Sequence, residues 1–197
     1  MKCLYCDKDI DKVSFKSLLL KDDYLCPDCR KQLSVNRKII TVEDMKVETF
    51  FEYDGMFRSI LLQYKECHDE ALKSVFLYEL ADYINLRYAG YRLCLIPSSK
   101  KKLEERGFNH LDGIFEEVKL KRDDGLISIN DLCQENKSYV ERRKMLDNFV
   151  YEGKHSGRVL IADDVLTTGS TLLGAYKSIS LKVDKVKVLS LAYKKML

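Results

Sequence analysis

The sequence predicts an α/β domain with a largely parallel sheet, preceded by a small four-cysteine module. Three observations carry this. Short apolar runs such as YRLCLIP and RVLIADD alternate with segments of helical period from residue 47 to residue 193. Two CxxC pairs stand in the first thirty residues. With only two prolines and no Gly/Ser-rich tract, the chain offers no flexible linker and no internal repeat.

The front module comes first in the chain. Cys3 and Cys6 are followed by a nineteen-residue stretch and then by Cys26 and Cys29. A CxxC turn brings two thiolates to one ion, and a second turn completes a tetrahedral four-sulfur zinc site. A closed ligand set is structural, because catalytic zinc keeps a position open for water. The N-terminus MKCLYC lacks the basic-then-apolar order of a signal peptide, and runs such as VLIA and SILL fall far short of the roughly 20 residues of a membrane span. A cytoplasmic protein with no membrane insertion is expected, and in that reducing compartment the seven cysteines bind metal or are buried. Cys67, Cys94 and Cys133 lack paired spacing and read as core or incidental residues, Cys94 within LCLI being the one expected to be buried. The zinc module is placed at residues 1–45 and the α/β domain at 46–197.

After the knuckles, VETFFEYD has the β-branched and aromatic content of a strand and turns at Asp54 and Gly55. GMFRSILLQYKE and ALKSVFLYELADYINLRY then read as helices, the second from Leu72, Val75, Phe76, Leu80, Tyr83 and Ile84 at helical spacing. YRLCLIP is a short strand closed by Pro97. A polar, basic loop is expected from there to Gly107, and NHLDGIFEEVKL resumes a helical period. GLISIND and RVLIADD read as strands, GSTLLGAYKSI as a helix and VDKVKVLSLAY as the last strand.

The run VLIADDVLTTGST, residues 159–171, concentrates the chemistry. Ligands of an open parallel sheet bind beyond the carboxyl ends of its strands, where Asp163 and Asp164 fall. The next residues lead into a helix whose first N–H groups are unpaired and lie at the positive end of the dipole, so they suit a phosphate. Gly169 permits close backbone approach, and the hydroxyls of Thr167, Thr168, Ser170 and Thr171 can donate to the same oxygens. Two carboxylates beside a phosphate must face something else, and a sugar diol is the natural partner. Phosphate at one end and diol in the middle describe a ribose 5-phosphate; the plain alternative is an acidic turn capping a helix. A Walker loop is excluded, because no lysine follows the glycine in the required place.

VLIADDVLTTGST resembles the phosphoribosyl-diphosphate signature of type I phosphoribosyltransferases. With the double CxxC front, FFEYDGMFRSILLQYK, LIPSSKKKLEERGFNH and QENKSYVERRK, the resemblance extends along nearly the whole chain to the ComF family of competence-associated proteins. It implies a type I phosphoribosyltransferase-like parallel sheet behind the zinc module. It places Asp163 and Asp164 on the ribose hydroxyls and Thr167, Thr168, Gly169, Ser170 and Thr171 on the 5-phosphate. Pro97, Ser98, Ser99 and Lys100 would form the diphosphate loop, with Arg106 and Lys65 adding positive charge or standing simply solvated. Magnesium, Mg2+, would accompany a bound diphosphate beside the structural zinc, Zn2+. Two positions depart from the family pattern: Met145 stands where Asn commonly follows the ERR segment, and His110 where Gln often follows RGFN.

The resemblance further implies a role in bacterial natural transformation, assisting import of single-stranded DNA beside a helicase-like competence ATPase at the inner face of the membrane. The alternative is an active phosphoribosyltransferase in nucleotide salvage, and a third reading is a sensor of phosphoribosyl diphosphate. No catalytic residue is assigned, since phosphoribosyl transfer works mainly through position and charge. A net charge of +3 does not by itself announce a nucleic-acid binder. Basic clusters at Lys100–Lys102, at Lys119, Lys121 and Arg122, at Arg142–Lys144 and at Lys194 and Lys195 are either solvated surface or, gathered on one face, a track for single-stranded DNA with Phe108 as its stacking platform.

Overall fold

The structure, a computed structural model, describes residues 1–10, 23–129 and 148–195. Its centre is a five-stranded sheet. β1 (Lys38–Val42) and β2 (Met45–Glu52) form an antiparallel pair, β3 (Arg92–Leu95) follows, and two short strands, β4 (Leu126–Ser128) and β5 (Phe149–Tyr151), pair separately. β6 (Arg158–Leu166) and β7 (Lys185–Tyr193) complete the main sheet in the order β1-β2-β7-β6-β3. The four strands from β2 to β3 are mutually parallel and only the edge strand β1 runs against them. Burial on both faces explains why the inner strands read as continuous apolar runs, with Val159, Leu160, Ile161 and Ala162 fully enclosed. The mixed α/β class with a mostly parallel sheet is therefore as the sequence predicts.

Register decides where a ligand would go. Glu52 of β2 lies opposite Tyr193 of β7, and Tyr193 lies opposite Leu166 of β6. The three strands thus end together, and the loops after β2 and β6 share one carboxyl edge.

The helices differ from the expectations in instructive ways. α1 (Pro27–Gln32) begins with Pro27 in its first turn, and α2 (Gly55–Glu66) follows β2 at the predicted turn. The single helix expected over 71–88 is broken into a 3-10 turn (Glu70–Leu72), α3 (Lys73–Phe76) and α4 (Ala81–Arg87). The interruption buries Leu77 and Leu80 together and places the Tyr78 ring 4.8 Å below the Arg30 guanidinium, so tertiary packing overrides helical period here. The loop expected before Gly107 is instead α5 (Lys100–Arg106), started by Ser99, whose Oγ accepts from the Lys102 N–H at 3.4 Å, and stopped by Gly107 at φ 76°. KKKLEER consists of good helix formers without an apolar stripe, so its helix left no periodic signal. α6 (His110–Ile114) is shorter than the predicted 109–120, and α7 (Ser170–Ser180) matches its prediction.

A buried carboxylate ties the sheet to α4. Glu48 on β2 accepts from Tyr83 Oη at 2.7 Å, from Tyr88 Oη and from Arg37 Nε. Burial would raise its pKa, but these donors outweigh it and hold the group below the usual carboxylate range. Among the described residues no helix is long and apolar enough to cross a membrane.

Candidate functional site

The four front cysteines come together. One sulfur from each of Cys3, Cys6, Cys26 and Cys29 lies within 4.8 Å of all the others, with Cys6 Sγ and Cys26 Sγ 3.6 Å apart. Four sulfurs at about 2.3 Å from one zinc stand about 3.8 Å from each other, so the cluster has the dimensions of a four-thiolate site. Local backbone explains it. Cys3 N–H donates to the Lys8 carbonyl and Asp7 N–H to the Cys3 carbonyl, with Asp7 in the left-handed region at φ 60°, which closes the first knuckle. Cys26 caps α1 and Cys29 lies within its first turn, which forms the second. Burial disfavours the Cys3 thiolate, yet backbone hydrogen bonds from Cys26, Cys6 and Tyr5 bring its pKa down to about 6. Burial and the neighbouring sulfurs push Cys29 upward. Ligation of one metal ion by all four would resolve this competition for protons. The module is fixed to the main body by Arg30, which forks onto Asp23 at 2.6 and 2.7 Å while covering Tyr78. Cys94 is buried as expected and Cys67 is exposed; Cys133 lies outside the described residues.

At the carboxyl edge, β6 delivers Asp163 and Asp164 and then turns through Thr167, Thr168 and Gly169 into α7. Gly169 has φ 82° and caps the helix, and its carbonyl accepts from Leu173 N–H at 2.8 Å. Thr168 Oγ1 and Ser170 Oγ are 3.0 Å apart, and Ser170 N–H points to Thr168 Oγ1 at 3.4 Å, so the hydroxyls gather around the helix start. Thr167, Thr168, Ser170 and Thr171 are exposed. This is the arrangement of N–H groups and hydroxyls that an anion requires.

The two aspartates are not equivalent. Neighbouring strand residues face opposite sides, and Asp164 is buried while Asp163 remains partly open to solvent. Asp164 forms an ion pair with Lys65 of α2, and its Oδ2 lies 2.8 Å from His110 Nε2. Despite its burial, those donors hold Asp164 well below the usual carboxylate range. Asp163 accepts from the Asp164 N–H at 2.9 Å; its depth among the strand ends and the adjacent Asp164 charge raise its pKa.

His110 continues the chain of contacts. Its Nδ1 stands 3.4 Å from both Ser98 Oγ and Arg106 Nη1, and Arg106 Nη2 donates to Glu66 at 3.1 Å. Lys65 and Arg106 are only 17% and 11% exposed, so simple solvation does not describe them. Ser98 and Ser99 occupy the turn after β3, and Lys100 is the first residue of α5. The structure therefore joins Asp163 and Asp164 of the expected ribose set to Ser98 and Arg106 of the expected diphosphate set through His110, with Lys65 on Asp164, while Ser99 turns its hydroxyl to the start of α5. His110 was not assigned a role from the sequence. Its sequence signal is its departure from the Gln that often follows RGFN, four positions beyond Arg106. Arg142–Lys144 and Met145 lie outside the described residues.

No protein-family model matches the chain. Competence protein ComFC of Streptococcus pneumoniae (strain ATCC BAA-255 / R6) is 27% identical over 87% of this chain and 90% of its own length. Competence protein ComFC of Bacillus subtilis (strain 168) is 25% identical over 86% of this chain and 85% of its own. Among solved structures, APRTase from Giardia lamblia complexed with 9-deazaadenine covers 86% of this chain and 97% of its own at 13% identity, with a TM-score of 0.36, too loose a match to bear on the site. The chain is thus similar to ComFC proteins over most of its length, in keeping with the resemblance carried by its motifs.

Proposed function

We propose that this ComF-type protein binds phosphoribosyl diphosphate, or a related sugar phosphate, at the carboxyl end of β6, and that it serves the import of single-stranded DNA during natural transformation. The observation that carries the ligand is the convergence of three parts: the hydroxyl-lined start of α7, the Asp163–Asp164 pair, and the enclosed cations Lys65 and Arg106. Phosphate goes to the first, the diol to the second and the diphosphate to the third. Magnesium would arrive with the diphosphate, held largely by the ligand and water. The cellular role draws on the ComFC relatives, whose names place them in competence. It includes a helicase-like ATPase as partner on the cytoplasmic side and single-stranded DNA as a second partner. A transformation assay on a deletion strain tests it, with DNA binding at the surface and entry to the cytosol measured separately. Loss of entry with surface binding intact is expected, and normal entry overturns the role.

One observation favours the alternative of a working phosphoribosyltransferase. A cleft of about 280 Å³ lies between the segment after α1 and the end of β2, where Gln32, Asn36 and Asp54 join Phe51 and Phe57 in its lining and Glu52 is already held by Lys38 and Tyr193. Amide and carboxylate groups in such a cleft suit a heterocyclic acceptor. Glu52 is two strands from β6, about 10 Å. Turnover of phosphoribosyl diphosphate with a panel of bases distinguishes the readings: release of diphosphate with any base supports the enzyme, and binding without turnover supports the competence protein.

A further inference from the structure

His110 is enclosed between elements that the ligand reading treats separately. β6 presents Asp164, α2 presents Lys65, the turn after β3 presents Ser98, and the end of α5 presents Arg106. Tyr64 Oη fixes the His110 backbone by donating to its carbonyl at 3.0 Å. The hydrogen-bond roles follow from the partners. An ionised Asp164 only accepts, so Nε2 must carry a proton. Arg106 only donates, so Nδ1 must present its lone pair. Both conditions are met by one species, the neutral Nε2–H tautomer. Burial beside Lys65 and Arg106 disfavours the imidazolium, although Asp164 opposes this, and the net direction is towards the neutral ring. Ser98, His110 and Asp164 align as hydroxyl, imidazole and carboxylate, but the imidazole lone pair is shared with a guanidinium. That sharing suits holding more than proton abstraction.

We propose that His110 is a positioning residue that locks the buried Asp164, the inner member of the pair assigned to the diol, to Ser98 and Arg106, so that the diol and diphosphate subsites are held as one preformed unit. The inference rests on the sugar-phosphate reading above. A glutamine could reproduce both roles: a carboxamide donates through its N–H and accepts through its oxygen, as the neutral imidazole does.

The test uses the full-length protein with zinc. Nitrogen-detected NMR of the histidine rings at neutral pH should show His110 as the Nε2–H tautomer. Affinity for phosphoribosyl diphosphate with magnesium is then measured by calorimetry for the wild type, His110→Gln and His110→Leu. The Gln variant should stay within about threefold of wild type, and the Leu variant should lose about tenfold or more, matching one lost charge-assisted hydrogen bond. Thermal melts of both variants identify any general loss of folding. Equal losses in Gln and Leu, an unchanged Leu variant, or a protonated or Nδ1–H ring overturns the lock. Absence of binding by the wild type overturns the ligand reading instead, and the tautomer still decides whether the lock exists.

Discussion

Gly169 lies directly against Val42. A Cβ on Gly169 would stand 2.9 Å from Val42 Cγ1, closer than packed atoms tolerate, and its φ of 82° already excludes most side chains. The start of α7 is therefore shaped from outside by the edge strand β1, and the loop sits where it does because one residue lacks a side chain.

Gly169→Ala should consequently damage both fold and loop. The left-handed backbone alone costs about 1 to 3 kcal/mol for a residue with a side chain. The methyl group also forces Val42 or the loop to move. Denaturant unfolding should show the loss, and affinity for ribose 5-phosphate should fall with it. A variant as stable as wild type would refute the packing argument.

Much of the fold was legible in the sequence because burial on both faces writes itself as uninterrupted apolar runs. RVLIADD and VKVLSLAY are of this kind. β1 was not legible: an edge strand with Ile39 62% exposed has neither a continuous apolar run nor a strict alternation. α5 was missed for a related reason, since a helix without a buried residue carries no stripe. At the site, the hydroxyl-rich loop could be read because its chemistry is contiguous. The His110–Asp164 contact could not, because it joins positions 54 residues apart and depends on how α6 meets the end of β6.

Metal should be a stoichiometric part of the protein. With four sulfurs mutually within 4.8 Å, the wild type is expected to carry one zinc per chain, and Cys26→Ser should lose it. The same substitution should loosen the front module, whose folding energy is coupled to the metal. The main sheet should remain, since its core is built from β2, β3, β6 and β7. Elemental analysis and circular dichroism check these outcomes, and zinc-free wild type would sink the assignment.

The inequivalence of the aspartates predicts inequivalent variants. Asp164→Asn leaves Lys65 facing an amide in a buried setting and weakens the bond to His110, so it should cost both stability and affinity. At pH 8, where Asp163 is ionised, Asp163→Asn should weaken binding of ribose 5-phosphate by about 1 to 3 kcal/mol, the difference between a charge-assisted and an ordinary hydrogen bond to the diol. Its effect on the free protein has the opposite sign. The Asp163 pKa is raised on folding to about 7, so its contribution to stability is full below the unfolded carboxylate range and is lost as pH rises through about 7. Asp163→Asn removes the buried charge and its repulsion by Asp164 and should melt higher than wild type at pH 8, by about 2 to 4 °C per kcal/mol recovered. Melting curves at pH 5 and pH 8 decide it, and a variant less stable than wild type at pH 8 would contradict the sign.

Direct contact with nucleic acid depends on α5. This helix carries Lys100, Lys101 and Lys102 beside the turn of Ser98 and Ser99, and Lys101 is 85% exposed and pairs with Glu105 at 3.8 Å. An isolated pair of that kind is screened and does not remove the cation from the surface. Phe108 offers less of a free face than its place in the sequence suggests, because its half-buried ring packs 5.2 Å from Tyr64 and 6.3 Å from His68. Charge should therefore outweigh stacking, giving weak, sequence-tolerant binding to single strands that falls steeply with added salt. Replacing Lys100, Lys101 and Lys102 together by Gln should weaken this binding. Each lost phosphate contact should also reduce the slope of log affinity against log salt by about 0.7. Phe108→Leu, which keeps the packing on Tyr64, should leave affinity nearly unchanged. Fluorescence anisotropy with labelled single strands at several salt concentrations measures both quantities. If single strands fail to bind at low salt, or if the triple variant keeps the wild-type slope, this surface does not handle DNA and the proposed part in its import would have to run through a partner protein.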